Sequence, residues 1–142
     1  MATLNVYLNF DGNCLEAFKF YQSVFGGEFS HVGTFRDVPP SDSMPPLSEQ
    51  DLDRVLHISL PISVETVLMG SDTFPGSEKL TQGNNYTIAV GVSSKAQAET
   101  YFAALSDKGV VSMPMSDTFW GSYFGMLVDQ FGIQWMIDFD AS

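Results

Sequence analysis

An internal repeat constrains the fold of this chain more than any other feature. The run Leu4-Asn5-Val6-Tyr7-Leu8-Asn9-Phe10 puts apolar side chains on even numbers and Asn, Tyr, Asn on odd ones, the period-two pattern of a strand with one greasy face. Asn13 follows in an N-cap position with Glu16 three residues on, as in a capping box, and Cys14, Ala17, Phe18, Tyr21, Val24 and Phe25 recur at helical spacing. Gly26-Gly27 permits a left-handed stop. The second half replays this order. Tyr86, Ile88, Val90 and Val92 alternate with Thr87, Ala89 and Gly91, Ser94 caps a run carrying Ala98, Tyr101, Phe102 and Leu105, and Gly109 closes it. Aligning Asn13 with Ser94, and Phe20-Tyr21 with Tyr101-Phe102, gives an offset of about 81 residues, so a strand-helix unit has been duplicated.

Shorter strands are expected after each helix: Glu28 to Arg36, Val55 to Ile62 and Val64 to Gly70, then Val110 to Met115, Tyr123 to Val128 and Ile133 to Phe139. Each half therefore reads as βαβββ, an α+β arrangement. Module one covers about 1–72 and module two about 85–142, joined by a Gly-, Ser-, Asn- and Thr-rich linker at about 73–84. With 142 residues and 44% hydrophobic content the chain can bury one substantial core, and a single domain over 1–142 is expected. Val38-Pro39-Pro40 through Asp53 carries four prolines and the acids Asp42, Glu49, Asp51 and Asp53, with Asp37 just before it. It reads as an exposed, solvated loop without regular helix, and its acids lack the spacing of a calcium loop.

Seventeen acidic against six basic residues leave a net charge of -11, which repels a phosphate backbone and an anionic membrane surface. Neither nucleic acid nor membrane is an expected partner. The single cysteine, Cys14, forms no internal disulfide, no basic segment leading into an apolar run opens the chain, and every apolar stretch is broken within about ten residues. A cytoplasmic location fits.

Several strings resemble the vicinal oxygen chelate superfamily of glyoxalases, bleomycin-resistance proteins and dioxygenases, in particular its PhnB-like branch. They are "LNFDGNCLEAFKFYQSVFGGEF" at Leu4 to Phe29, "HISLPI" from His57, "VLMGSD" from Val67, and "DTFWGSYFGMLVDQFGIQWMI" from Asp117 to Ile137. The resemblance implies tandem βαβββ modules whose curled sheets, helices outside, surround a shared cavity, and it implies a homodimer. Some relatives carry a name referring to ubiquinone methyl transfer. No Gly-rich turn with a downstream acidic residue, as a nucleotide-like cofactor needs, is present, and no cofactor is expected.

Under that architecture parity assigns side chains to faces. Leu4, Val6, Leu8 and Phe10 go to the core and Asn5 and Tyr7 inward; Leu56, Ile58, Leu60 and Ile62 go to the core and His57 and Ser59 inward. Thr87 faces inward, as do Gln134, Met136 and Asp138, against Ile133, Trp135, Ile137 and Phe139 in the core. The resemblance also implies where the superfamily's four metal ligands would fall: Asn5, Ser59, Thr87 and Met136. None is an imidazole, thiolate or carboxylate, so no metal is expected there. A two-residue shift keeps parity and brings in Tyr7, His57 and Asp138, still with one imidazole and one carboxylate.

Among single residues, His57 is a candidate acid, base or ligand, and its bland alternative is a hydrogen bond to a neighbouring strand or loop. Trp120, after Phe119, is a candidate pocket wall. Met44, Met113, Met115 and Met136 serve either as an adaptable lining or as core filler. Trp135, Phe18, Phe20 and Phe102 are expected in the core, Cys14 as a buried thiol, and His31 as an exposed edge residue without a role. The chain lacks a G-x-S-x-G elbow, a Walker loop and zinc-spaced Cys/His sets, so nucleophilic catalysis and phosphoryl transfer are not expected. The expected function is binding of a small, partly apolar molecule, with Asn5, Tyr7, His57, Ser59, Thr87, Trp120, Met136 and Asp138 as candidate lining. The alternatives are a divalent-metal-dependent lyase, isomerase or dioxygenase using His57 and a carboxylate such as Glu65 or Asp138, and an interaction module with a vestigial pocket.

Overall fold

The computed structural model describes residues 2–39 and 46–140, so Asp42 and Met44 of the loop lie outside the described residues. It comprises two compact units, Met1–Thr81 and Gln82–Ser142. The first contains β1 (Val6–Phe10), α1 (Cys14–Phe25), β2 (His31–Thr34), α2 (Glu49–Leu52), β3 (Val55–Pro61) and β4 (Val67–Asp72). The second contains β5 (Ile88–Val92), α3 (Lys95–Ser106), β6 (Val110–Asp117), β7 (Ser122–Val128) and β8 (Gln134–Asp140). Each unit has one open four-stranded sheet, ordered β1-β4-β3-β2 and β5-β8-β7-β6. The outer pairs β1/β4 and β5/β8 are parallel and the remaining pairs antiparallel. The expected pair of βαβββ modules is thus present.

Helix α1 buries Cys14, Ala17, Phe18, Tyr21 and Val24, the stripe read from its period. Under it lie Leu8, Phe10, Ile58, Leu60 and Leu68, all buried; each such side chain contributes about 1.5–3 kcal/mol. Close approach depends on glycine. A Cβ on Gly70 would stand 2.7 Å from the Phe18 ring, and one on Gly125 would stand 2.8 Å from Phe102. Trp135 and Phe18 are buried as expected, whereas Phe20 and Phe102 are only half-buried.

The start of α1 is capped differently from expectation. Asn13 makes no side-chain cap bond. Instead the buried carboxylate of Asp72, at the end of β4, accepts from Gly12 N (2.8 Å) and Cys14 N (3.0 Å) through Oδ1 and from Val55 N (2.8 Å) through Oδ2. An acid from a distant strand thus satisfies the first orphan donor of the helix and the turn that leads into it. Ser94 does cap α3, its Oγ accepting from Gln97 N at 3.1 Å. Past α3 the left-handed residue is Lys108 (φ 60°), not Gly109; Gly109 is required because a Cβ there would meet Val128 O at 2.4 Å. In the second unit Asp129 repeats the Asp72 device: Oδ1 accepts from Phe131 N (2.8 Å) and Ile133 N (3.0 Å), and Oδ2 from the Trp135 indole (2.9 Å).

Three further expectations are corrected. The acidic loop holds one helical turn, α2, because Ser48 accepts from Asp51 N at 3.1 Å. Leu4 precedes β1 and is 95% exposed. Leu56 is 40% exposed, since Gly33 pairs with His57 and Thr34 with Val55, leaving Leu56 as the extra residue of a bulge. The bulge resets parity, so Val55 is buried alongside Ile58 and Leu60.

Replacing Asp72 or Asp129 with Ala leaves three N–H groups, two of them buried, without an acceptor. Each substitution is expected to lower unfolding free energy by about 3 kcal/mol or more, measured by urea denaturation. Asn, which keeps one acceptor oxygen, should cost less. For Asp129→Ala the Trp135 emission should also change in the folded state.

Candidate functional site

In module one a row of residues crosses the sheet on the face turned away from α1. Tyr7 pairs with Met69, Met69 with Ser59, and Ser59 with His31. His57, two residues before Ser59 and past the bulge, shares this face. The row is wired together: His57 Nε2 lies 2.9 Å from Ser59 Oγ, and His57 Nδ1 lies 3.4 Å from the Tyr7 hydroxyl. In one tautomer Ser59 donates to Nε2 while Nδ1–H donates to Tyr7; in the other both bonds reverse. The His57 ring sits 5.7 Å from the Tyr7 ring and 5.5 Å from the His31 ring. Tyr7 is 43% exposed, His57 half-buried, and Ser59 only 8% exposed. From solvent the Tyr7 ring therefore comes first, with the Ser–His pair at its base.

An open-face row in module two is chemically different. Ala89 pairs with Met136, Met136 with Met126, and Met126 with Met113. Beside it Asp138 pairs with Gly91 and Phe124, and Phe124 meets Trp120 edge-on at 6.0 Å. Trp120 is 57% exposed on the β6–β7 turn, where Gly121 N donates to Thr118 O. Among the described residues the Asp138 carboxylate has no hydrogen-bond or ion-pair partner. Met115 lies instead on the helix side, its sulfur beside Gly125.

Of the sequence candidates, Tyr7, His57 and Ser59 come together in module one, while Met136, Asp138 and Trp120 lie around the open face of module two. Asn5 is exposed ahead of β1, and Thr87, ahead of β5, donates to Tyr86 O at 2.9 Å. Missing from the sequence reading is His31. It is an exposed edge residue, as expected, but the antiparallel register of β2 on β3 places it opposite Ser59. Only knowledge of strand pairing could have found it.

The donors at the superfamily's metal positions do not suit a transition metal. Asn5, Ser59, Thr87 and Met136 are neutral, Ser59 is engaged by His57, and Thr87 bonds a main-chain carbonyl. Among the described residues no three His, Cys, Asp or Glu side chains gather as a metal-binding group. The β1–α1 turn does not suit a nucleotide-like cofactor either. The N–H groups of Gly12 and Cys14 that would face a phosphate or carboxylate are taken by Asp72. A polar cleft of about 280 Å³ includes Asp11, Arg54 and Thr73 in its lining, but the Arg54 guanidinium is committed to Asp11 (3.0 Å) and to Thr73 O and Oγ1. No helix among the described residues is long and apolar enough to cross a membrane.

Comparison with known proteins agrees with this architecture. The family model described as 3-demethylubiquinone-9 3-methyltransferase matches residues 2–138. Protein PA1353 from Pseudomonas aeruginosa is 35% identical, with a TM-score of 0.83 over 99% of this chain and 98% of its own. A Bacillus cereus PhnB protein, named as a putative 3-demethylubiquinone-9 3-methyltransferase, superposes with a TM-score of 0.75 at 22% identity, over 97% of this chain and 99% of its own. A glyoxylase/bleomycin resistance protein/dioxygenase domain from Frankia sp. EAN1pec shares the fold at 10% identity, with a TM-score of 0.68 over 100% of this chain and 93% of its own.

Cys14 is fully buried at the first turn of α1, where burial, and secondarily the charge of Asp72, push its thiol far above the ordinary range. It is a packing residue. A thiol-reactive dye at neutral pH is expected to leave Cys14 unmodified in the native protein and to label it stoichiometrically in urea. Fast native labelling would contradict the packing.

Proposed function

The chain belongs to the family described as 3-demethylubiquinone-9 3-methyltransferase, the PhnB-like branch of the vicinal oxygen chelate superfamily, and on that premise we propose that it binds a small, partly apolar molecule on the open sheet face of module one, without a metal at the superfamily's usual positions. The observation that carries this reading is the bonded series Tyr7–His57–Ser59, flanked by Met69. Few convergent polar groups beside an aromatic ring and a thioether are the composition of a small-molecule site. The Tyr7 ring offers about 0.5–1.5 kcal/mol of stacking to a flat ligand. A ligand of about 25 heavy atoms at about -0.3 kcal/mol each binds in the micromolar range. Methyl transfer, named in the family's description, is not part of this proposal, because the chain has no Gly-rich turn for a nucleotide-like donor and Asp72 takes the Gly12 and Cys14 N–H groups at the start of α1.

The protein so read acts in the cytoplasm as a homodimer, with modules at about 1–72 and 85–142 forming one functional domain. Light scattering at tens of micromolar should give twice the 15.6 kDa chain mass; the monomer mass would count against the dimer.

The main test is a thermal-shift ligand screen run with and without divalent ions. A ligand at about 100 times its dissociation constant stabilises the fold by about 2.7 kcal/mol. The expected hits raise Tm equally in chelator and in added metal, and lose their effect in His57→Ala and Tyr7→Leu. Stoichiometric metal found by mass spectrometry and lost in His57→Ala would overturn the reading, in favour of a metal-dependent lyase, isomerase or dioxygenase built on His57 and a carboxylate such as Glu65 or Asp138.

A further inference from the structure

We infer that the Ser59–His57 pair is a nucleophile and its base, and that the face of module one hydrolyses small neutral carboxylic esters through an acyl-Ser59 intermediate. The inference rests on the binding reading above and extends it from holding a molecule to transforming one. Three observations support it.

The hydroxyl of Ser59 lies 2.9 Å from Nε2 of His57, within the reach needed for a base to take the nucleophile's proton. The other imidazole nitrogen, Nδ1, meets a third polar group, the Tyr7 hydroxyl, at 3.4 Å. A base oriented on one nitrogen and turned to a serine on the other is the arrangement that activates serine on unrelated folds. Finally, His31 stands opposite Ser59 in the strand register, its ring 5.5 Å from that of His57. It is an N–H donor on the solvent side of the pair, available to an oxyanion that develops beside Ser59. The absence of a G-x-S-x-G elbow does not weigh against this, because that motif presents serine on a strand-to-helix turn. Here the i, i+2 alternation of β3 puts His57 and Ser59 on one face directly.

The chemistry closes without a cofactor. Ser59 Oγ forms a bond to the ester carbonyl carbon as its proton passes to His57 Nε2. The tetrahedral oxyanion collapses, the bond from carbon to the alcohol oxygen breaks, and His57 returns the proton to the departing alcohol. Water then attacks the acyl-serine, giving its proton to His57. The carboxylic acid leaves, and Ser59 regains its hydrogen from His57. The net reaction is ester plus water to acid plus alcohol. Neutral esters are the class because the chain carries a charge of -11, which repels anionic substrates such as phosphoesters. Small acyl groups are favoured because Ser59 is only 8% exposed at the base of the face.

The test uses the whole chain and p-nitrophenyl acetate. Wild-type protein is expected to release p-nitrophenolate in a burst stoichiometric with protein, and mass spectrometry of acid-quenched protein should show one acetyl group, mapped by peptide digestion to Ser59. Ser59→Ala should lose both burst and label. His57→Ala should slow acylation by about 100-fold or more, and His31→Ala by on the order of 100-fold. Tyr7→Phe keeps the ring and removes the hydroxyl; as a positioning change it should lower kcat while leaving KM in place. Because label mapping on the wild type needs no variant to fold, acetyl found only on Tyr7, a lysine or the amino terminus would overturn the inference. So would the absence of any burst. If the thermal-shift hits still depend on His57 while no acetyl-Ser59 forms, binding stands and acyl transfer falls; if hits are indifferent to His57 and Tyr7, the binding reading itself fails.

Discussion

The Asp72 carboxylate ties together three segments of module one that are far apart in sequence. It accepts from the turn before α1, from the first residue of α1 and from the first residue of β3, while its own backbone ends β4. A buried carboxylate with three N–H donors is stabilised strongly enough to fix its surroundings, and removing it would strand those donors. The functional consequence lies on β3. With Val55 N held by Asp72, the strand starts at a defined residue, and the extra residue Leu56 is accommodated as a bulge directly after the anchor. His57 and Ser59 then fall on the open face. Without the bulge, uniform alternation running from a buried Val55 would turn both toward the helix. The site is thus positioned by a structural acid that never touches it.

Asp129 does comparable work in module two, bracing the turn from β7 to β8 and holding the indole of Trp135. This gives the characteristic "DQFG-W" string a physical meaning: the acid, the turn glycine Gly132 at φ 87° and the tryptophan form one bonded unit. The motif that most resembles the family is therefore a folding element and says nothing about the ligand.

What could be read from sequence was whatever depends on local period. The duplication, both long helices, the parity of β1 and β8, the burial of Trp135 and Phe18 and the placement of Tyr7 and His57 on the sheet face opposite the buried side chains of β1 and β3 all follow from spacings of two or three to four residues. What could not be read depends on contacts between segments distant in the chain. Alternation alone sends Leu56 to the core, because a bulge leaves no local mark. Asn13 had the residue type and position of a cap, yet a carboxylate nearly sixty residues away along the chain supplied the bonds. His31 had no role in isolation because its importance comes from standing across from Ser59, a fact of register. The loop around α2 looked unstructured because prolines dominate its composition, while one well-placed Ser48 suffices for a single turn.

The two modules also show why duplication of a fold does not duplicate a site. Their sheets pair in the same strand order, yet the open-face row Tyr7, Met69, Ser59 and His31 of one differs in kind from the open-face row Ala89, Met136, Met126 and Met113 of the other. The periodicity that the fold requires is satisfied by either set, since only the helix-facing residues must be apolar and closely packed. Even there the modules differ in which strand carries the small residue: Gly70 on the last strand admits Phe18, whereas Gly125 on the third admits Phe102. The open face is under no such constraint, and it is where the two copies have diverged. One row carries a phenol, a thioether, a hydroxyl and an imidazole, with the second imidazole, His57, bonded to the phenol and the hydroxyl beside it; the other carries three thioethers and a methyl group. Thioethers can grip apolar surface but cannot move a proton at neutral pH. The groups able to exchange a proton near neutral pH through an imidazole are thus confined to module one, because the two histidines of the chain, His31 and His57, both lie in its sheet.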